Sequence, residues 1–247
     1  MIAEELHTYL LRHFPEQQVR DVRIGLGYTA VQLADGGVGV AYTFRNETAS
    51  GCSVFKGKRP VAGRTTTEIL KYLGAADVVE AAIGLAAANA MTNRPCTDCE
   101  QGEILTMLGL RPDDRVGMVG YFGPLINPLE QIVRELLIFE RDTSRAESVL
   151  PAEQAVERLP TCDIAVISSS ALIVGALDSL LEATRHCREV VLVGPSTPLV
   201  PSIFRPLGVT LLCGVTVNDP NEVLQVVSEG GGMGFFGKHV QKVNVRV

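Results

Sequence analysis

Short loops rich in glycine and hydroxyl-bearing residues follow several apolar runs in the second half of the chain. They are Gly120, Tyr121, Phe122 and Gly123 after one run, Ser168, Ser169 and Ser170 after another, and Gly194, Pro195, Ser196 and Thr197 after a third. Loops of this composition present backbone N–H groups and hydroxyls, the donors that bind a polar or anionic small molecule. Each loop alone is also explained by the preference of Gly and Ser for turns. Their joint occurrence favours a binding site.

An acidic residue, Glu140, closes a further apolar run. The glycines at positions 117, 120 and 123 do not follow the G-x-G-x-x-G spacing of dinucleotide sites. Glu140 nevertheless follows them at about the spacing of the acid that binds ribose hydroxyls in such folds. One hypothesis is therefore an S-adenosylmethionine or nucleotide cofactor, and the alternative is a solvated charge at a strand end.

Cys96 and Cys99 form the only close cysteine pair. Two thiolates at this spacing can bind a soft transition metal or act as a redox dithiol. No second pair or histidine cluster accompanies them, so a closed four-ligand zinc site is not indicated. Among the four histidines, His239 is the candidate general acid or ligand. The chain has no G-x-S-x-G or H-E-x-x-H motif and no phosphate-loop lysine.

The elements that must position these residues change character near residue 110. Before it, the sequence predicts three short strands at Val19–Leu26, Tyr28–Leu33 and Val38–Phe44, and then helices that begin at the caps Thr65 and Asp77. The small residues of VVEAAIGLAAANAM indicate a helix packed closely against its neighbours. We therefore predict an α+β domain over residues 1–110.

Strands and helices alternate after residue 110. The runs RVGMVG, LLIF, IAVI, VVLV and VTLL predict buried parallel strands. Asn127 and Asp219, each followed by Pro and Glu, predict helix starts, and a further helix is predicted through ALIVGALDSLLEA. The expected fold class is α/β, with a doubly wound parallel sheet over residues 111–247. In such sheets ligands bind beyond the carboxyl ends of the strands, where the strand order reverses.

The composition of the chain limits the classes of partner that it is expected to bind. Lys and Arg number 22 against 28 Asp and Glu, for a net charge of −6, and this acidic balance argues against nucleic acid. The longest apolar run, from Ile164 to Leu177, is too short to span a membrane. We expect a cytoplasmic protein with reduced cysteines and a small-molecule ligand. A homodimer is the expectation from the frequency of two-fold assemblies.

Five segments in order, GYTAVQL, TTTEILKYLGAADVVEAAIGLAAANAM, VGMVGYFGPL, CDIAVISSSALIVGALDSLL and VVLVGPSTPLVPSIF, resemble the putative heavy-metal chelation family. The resemblance implies an enolase-N-terminal-like domain, a Rossmann-like domain, and an active site in the cleft between them. It also implies that Thr29 and Asn89 from the first domain line this cleft with the loops named above.

Three hypotheses follow. The first is an enzyme or binding protein that handles a polar or anionic metabolite connected with heavy-metal chelation. The second is a non-catalytic metal or metallophore-binding protein that uses Cys96 and Cys99. The third is an S-adenosylmethionine- or nucleotide-dependent transferase that uses Glu140.

Overall fold

The computed structural model describes residues 1–95 and 102–247 and contains two β-sheets. The small sheet is an antiparallel meander of β1 (Val19–Ile24), β2 (Tyr28–Leu33) and β3 (Val38–Tyr42). The large sheet has the order β6-β5-β4-β7-β8-β9-β10. Its strands are β4 (Arg115–Val119), β5 (Glu135–Glu140), β6 (Val149–Pro151), β7 (Ile164–Ser168), β8 (Glu189–Val193), β9 (Leu211–Val217) and β10 (Val240–Arg246).

Ten α-helices pack around these sheets in the described residues. They are α1 (Ile2–His13), α2 (Thr66–Ile69), α3 (Val78–Thr92), α4 (Ile104–Met107), α5 (Gly123–Ile132), α6 (Ala155–Arg158), α7 (Leu177–Ala183), α8 (Pro201–Phe204), α9 (Pro220–Ser228) and α10 (Met233–Phe236). None of them combines the length and apolar character that a membrane span requires.

The predicted fold class is confirmed. Strands β4 to β9 are parallel, and β10 adds an antiparallel edge to β9. Apolar clusters cover both faces of the large sheet: Met118 and Val166 lie in one, and Phe139 and Ile167 in the other. Strand order reverses between β4 and β7, which is the switch point of a doubly wound sheet. A division of the chain at residue 110 remains a prediction.

The small sheet is held between two helices. Val31 and Leu33 of β2 pack in the same core as α3, while Ala30 packs with residues of α9. Because successive side chains of a strand point to opposite faces, this arrangement buries almost every residue of β2. Helix α9 follows β9 of the large sheet, so the two sheets share a helical layer.

Three predicted helix starts are confirmed in detail. Thr65 and Glu68 exchange the two hydrogen bonds of a capping box at α2, with N···O distances of 3.3 and 3.2 Å. At α9, Asp219 Oδ1 accepts the Glu222 N–H at 3.3 Å. The Asp77 carboxylate likewise accepts the N–H groups of Val79 and Glu80 at the start of α3.

Two predictions of helix boundaries are wrong. Helix α5 begins at Gly123 instead of after Asn127, because Pro124 already supplies the favoured first-turn proline and Pro128 is accommodated inside the helix. The helix predicted through ALIVGALDSLLEA is a 3-10 turn at Ser169–Leu172 followed by α7, with Gly175 at φ +68° between them. Strands β6 and β10 were not predicted.

Candidate functional site

The loops after β7 and β8 are joined by a buried hydroxyl network. Ser169 Oγ lies 2.8 Å from Thr197 Oγ1, which in turn lies 2.7 Å from the Gly194 carbonyl oxygen. Ser169 and Thr197 are fully buried. This network fixes the two loops to each other, and it leaves the half-buried Ser168 and Ser170, whose hydroxyl oxygens are 2.7 Å apart, at the edge of the sheet.

The loop after β4 lies against the loop after β7. Gly120 has φ +98°, and a Cβ on this residue would lie 3.0 Å from the Ser168 Cβ. Glycine alone adopts that conformation easily and also leaves room for the serine. The sequence-predicted residues of three loops, which include Tyr121, Phe122, Pro195 and Ser196, therefore meet at the carboxyl edge of β4, β7 and β8.

Glu140 at the end of β5 bonds to the protein backbone. Its Oε2 accepts the Tyr121 N–H at 2.9 Å, and its Oε1 accepts the Arg141 N–H at 2.7 Å. Both carboxylate oxygens thus hold the strand-end loops in place. This geometry does not single out Glu140 as an acceptor of ribose hydroxyls.

A segment of the N-terminal half, residues 42–47, covers this edge; we call it the roof. At one end, the Tyr42 N–H donates to Ser196 Oγ at 2.9 Å, beside β8. At the other end, Arg141 beside β5 contacts the Glu47 carboxylate at 2.7 Å and lies over the Phe44 ring at 5.5 Å. Strands β4 and β7 lie between β5 and β8. The roof therefore crosses the strand ends at the switch point, over three strand spacings or about 14 Å.

A buried asparagine at the end of α3 attaches the roof side of the molecule to the large sheet. Asn93 Nδ2 donates to the Thr197 carbonyl oxygen at 2.9 Å, and its Oδ1 accepts the Leu199 N–H at 3.0 Å. The Tyr28 ring packs edge-on to the Tyr42 ring with centroids 5.9 Å apart. Burial raises the pKa of Tyr28 to about 12.

The two site residues expected from the first half, Thr29 and Asn89, have no exposed surface. Thr29 lies within β2, and its Oγ1 is 3.0 Å from Thr43 Oγ1. Asn89 donates to the Val40 carbonyl oxygen at 2.9 Å, while its own Oδ1 is buried without a partner among the described residues. Either side chain would have to be uncovered before it could contact a ligand.

The metal hypothesis concerns Cys96 and Cys99, which lie outside the described residues. Within residues 1–95 and 102–247, no group of three or more His, Cys, Asp or Glu side chains is placed to bind a metal ion. Cys213 lies inside β9, where burial raises the pKa of its thiol to about 12. His239 Nδ1 lies 3.6 Å from Asp219 Oδ2, at the end of β9.

Two open grooves occur elsewhere on the surface, with volumes of about 480 and 370 Å³. The first lies between β1 and α9, and the second is bounded by α1 and Ile203. None of the sequence-predicted site residues lines either groove.

Sequence reasoning missed the roof. Tyr42 and Phe44 are two positions apart at the end of a predicted strand. This spacing places both side chains on the same face of the strand. The partners of these residues are far away in the chain, since Tyr42 and Ser196 are separated by 154 positions. No local pattern indicates such a pairing.

Comparison with family models gives two matches that together extend over most of the chain. The DUF364 model, described as "Putative heavy-metal chelation", matches residues 103–246. The DUF4213 model, with the same description, matches residues 7–92. An uncharacterized protein of Methanocaldococcus jannaschii is 26% identical over 239 residues, which cover 91% of this chain and 90% of that protein.

Two solved structures have the same fold. A DUF364-family protein of unknown function from Pyrococcus horikoshii superposes with a TM-score of 0.89 at 20% identity and covers 100% of both chains. A DUF364-family protein of unknown function from Desulfitobacterium hafniense has a TM-score of 0.84 at 26% identity, covering 99% of this chain and 98% of that one.

Proposed function

Because the chain belongs to the family described as "Putative heavy-metal chelation", we propose that it binds a small polar or anionic molecule used in metal chelation. The binding site is the strand-end edge under the roof. The molecule itself, and not the described part of the protein, supplies the metal ligands. The loops of Gly120, Ser168 and Ser196 supply the hydrogen-bond donors.

One observation carries this proposal: the roof is attached beside β8 and beside β5, and it crosses the ends of β4 and β7 between them. This is the place where doubly wound sheets bind ligands. A cover that excludes water strengthens hydrogen bonds and charge interactions beneath it.

The groups at this edge favour an oxygen-rich ligand. Ser168 and Ser170 present hydroxyls that are hydrogen-bonded only to each other among the described residues. Hydroxyl donors of this kind bind carboxylate, phosphate or hydroxyl oxygens.

Mass spectrometry of small molecules released from the purified protein tests the proposal. We expect a compound to copurify with the wild-type chain and to be lost from the Ser168→Ala/Ser170→Ala double variant. Each hydrogen bond to a charged group contributes about 1.5–3 kcal/mol. Ser179→Ala is the matched control, because Ser179 is an exposed serine that donates only to the Ala176 carbonyl oxygen.

Retention of the same compound by the double variant would contradict the proposed site. Titration with Ni²⁺ and with Ni²⁺–citrate separates the proposal from the metal-binding hypothesis. Uptake of Ni²⁺ alone that is abolished by Cys96→Ser would favour direct metal binding instead. Binding of the chelate alone, lost in the double serine variant, would favour the proposal.

A further inference from the structure

The groove between β1 and α9 has the size of a small-molecule site and a mainly polar lining. Its volume of about 480 Å³ falls within the range of about 300–1,000 Å³ that is typical of ligand pockets. Among the described residues that line it, Leu224 is the only apolar one, and Asn221, Gln225 and Ser228 line it from one face of α9. None of these residues belongs to the strand-end site.

A β-bulge gives the groove an additional cation. Val19 pairs with Leu33 and Asp21 pairs with Gln32, so Arg20 is an extra residue in β1 without a partner in β2. A bulge of this kind redirects a side chain that regular alternation would place on the opposite face. Arg20 and Asp21 consequently both line the groove.

Gln32 lines the groove with its amide. The residue is 8% exposed, its amide makes no hydrogen bond within the described part of the chain, and its polar atoms are in contact with solvent. The amide therefore offers two donors and one acceptor oxygen to a ligand in the groove.

The charges of the groove favour an anion. Asp21 is bound by Arg23 through Nε at 2.9 Å and Nη2 at 2.7 Å, so these two charges neutralise each other. Arg20 has no acidic partner within residues 1–95 and 102–247. The groove therefore has one uncompensated positive charge in a chain whose net charge is −6. Arginine binds carboxylates through paired N–H groups.

We propose that this groove binds a small carboxylate-bearing molecule. The carboxylate pairs with Arg20, and a second polar group of the molecule hydrogen-bonds with the Gln32 amide. This inference does not depend on the strand-end site or on its ligand.

Calorimetric titration with succinate and with citrate tests the proposal. We expect saturable binding of at least one of them to the wild-type chain at concentrations up to roughly 10 mM. Arg20→Gln should weaken binding about tenfold or more, the usual effect of losing a hydrogen bond to a charged group, and Gln32→Leu should weaken it by about fivefold, the usual effect of losing a neutral hydrogen bond. Arg12→Gln, which changes an exposed arginine outside the groove, should bind as the wild type does. Absence of saturable binding of both probes to the wild type would overturn the proposal.

Thermal unfolding separates a binding role of Gln32 from a structural one. Without ligand, Gln32→Leu should unfold at the same or a higher temperature, because the substitution breaks no hydrogen bond within the described part of the chain and places an apolar side chain at a position that is 8% exposed. The bound carboxylate should raise the unfolding temperature of the wild type but not that of the variant. Gln32→Glu keeps the length of the side chain and should also lose binding, because the new carboxylate repels the carboxylate-bearing ligand. A lower unfolding temperature of Gln32→Leu together with unchanged affinity would overturn the proposal.

Discussion

At the scale of single residues, buried polar groups that pair across the two halves of the chain position the candidate site. Tyr42 N–H, Ser196 Oγ and the Asn93 amide each have a partner far away in the sequence. Leaving a buried donor without an acceptor costs more free energy of folding than the original hydrogen bond contributed. These side chains therefore control the position of the roof as well as stability.

Ser196→Ala should destabilise the protein by about 1–3 kcal/mol, because it leaves the Tyr42 N–H without an acceptor. Urea unfolding of the variant and the wild type measures this difference. Ser179→Ala serves as the exposed control and should change the free energy of unfolding by less than about 0.5 kcal/mol. Equal effects of the two substitutions would show that the Tyr42–Ser196 bond does not hold the roof.

Asp114 should make stability sensitive to acid. Burial by itself would raise the pKa of its carboxyl group, but hydrogen bonds from Arg188 at 2.8 Å and from the Arg111 N–H outweigh it and hold the pKa below its ordinary value. A lowered pKa in the folded state stabilises the protein above the unfolded-state pKa of about 3.9. That contribution is lost as the pH falls through the lower, folded-state pKa.

Asp114→Asn should therefore be less stable than the wild type by about 1–3 kcal/mol near neutral pH, and the difference should shrink below about pH 4. Unfolding free energies measured from neutral to acidic pH test this. Asp113→Asn, at the exposed neighbouring position, is the control. A difference that does not change with pH would show that the Asp114 carboxylate is not responsible.

At the scale of elements, the small residues of α3 allow it to lie directly on the small sheet. Gly39 of β3 contacts the helix backbone, and a Cβ on it would lie 2.1 Å from Ala90 N and 2.3 Å from the Ala86 carbonyl oxygen. The alanine-rich sequence of α3 predicted this close packing. The identity of its partner strand was not predictable, because no residue type in α3 specifies it.

Gly39→Ala should therefore destabilise the protein by about 3 kcal/mol or more, since α3 must move away from the sheet to accommodate the methyl group. Thermal and urea unfolding both report the change. Gly234→Ala is the matched control: nothing lies within 4 Å of a Cβ there, so its effect should stay within about 1 kcal/mol. A stable Gly39→Ala variant would contradict the packing described here.

The strands and helices also show which parts of the structure could be predicted from the sequence. The apolar strands β4, β7 and β8 and the helix caps at Thr65 and Asp219 were predictable, because each has a local signal. Strand β10 was not, because its polar residues Gln241, Lys242 and Asn244 interrupt the apolar pattern at the edge of the sheet. The convergence of the strand-end loops followed from the fold class, whereas the roof depends on contacts between distant residues.

At the scale of the whole molecule, the two sheets are connected through shared parts. Helix α9 follows β9 of the large sheet and packs on the small sheet, and Asn93 joins α3 to the loop after β8. We therefore expect a single cooperative unfolding transition in calorimetry, with equal calorimetric and van't Hoff enthalpies. Two separate transitions would show that the sheets unfold independently and that the roof is not firmly attached.

The most direct test of the central claim is a crystal structure of the wild-type chain with the molecule that copurifies with it. We predict density for that molecule beyond the ends of β4 and β7, bounded by Gly120, Ser168 and Ser196 and covered by Tyr42 and Phe44. Density only outside this region, with the space under the roof filled by protein side chains, would contradict the account.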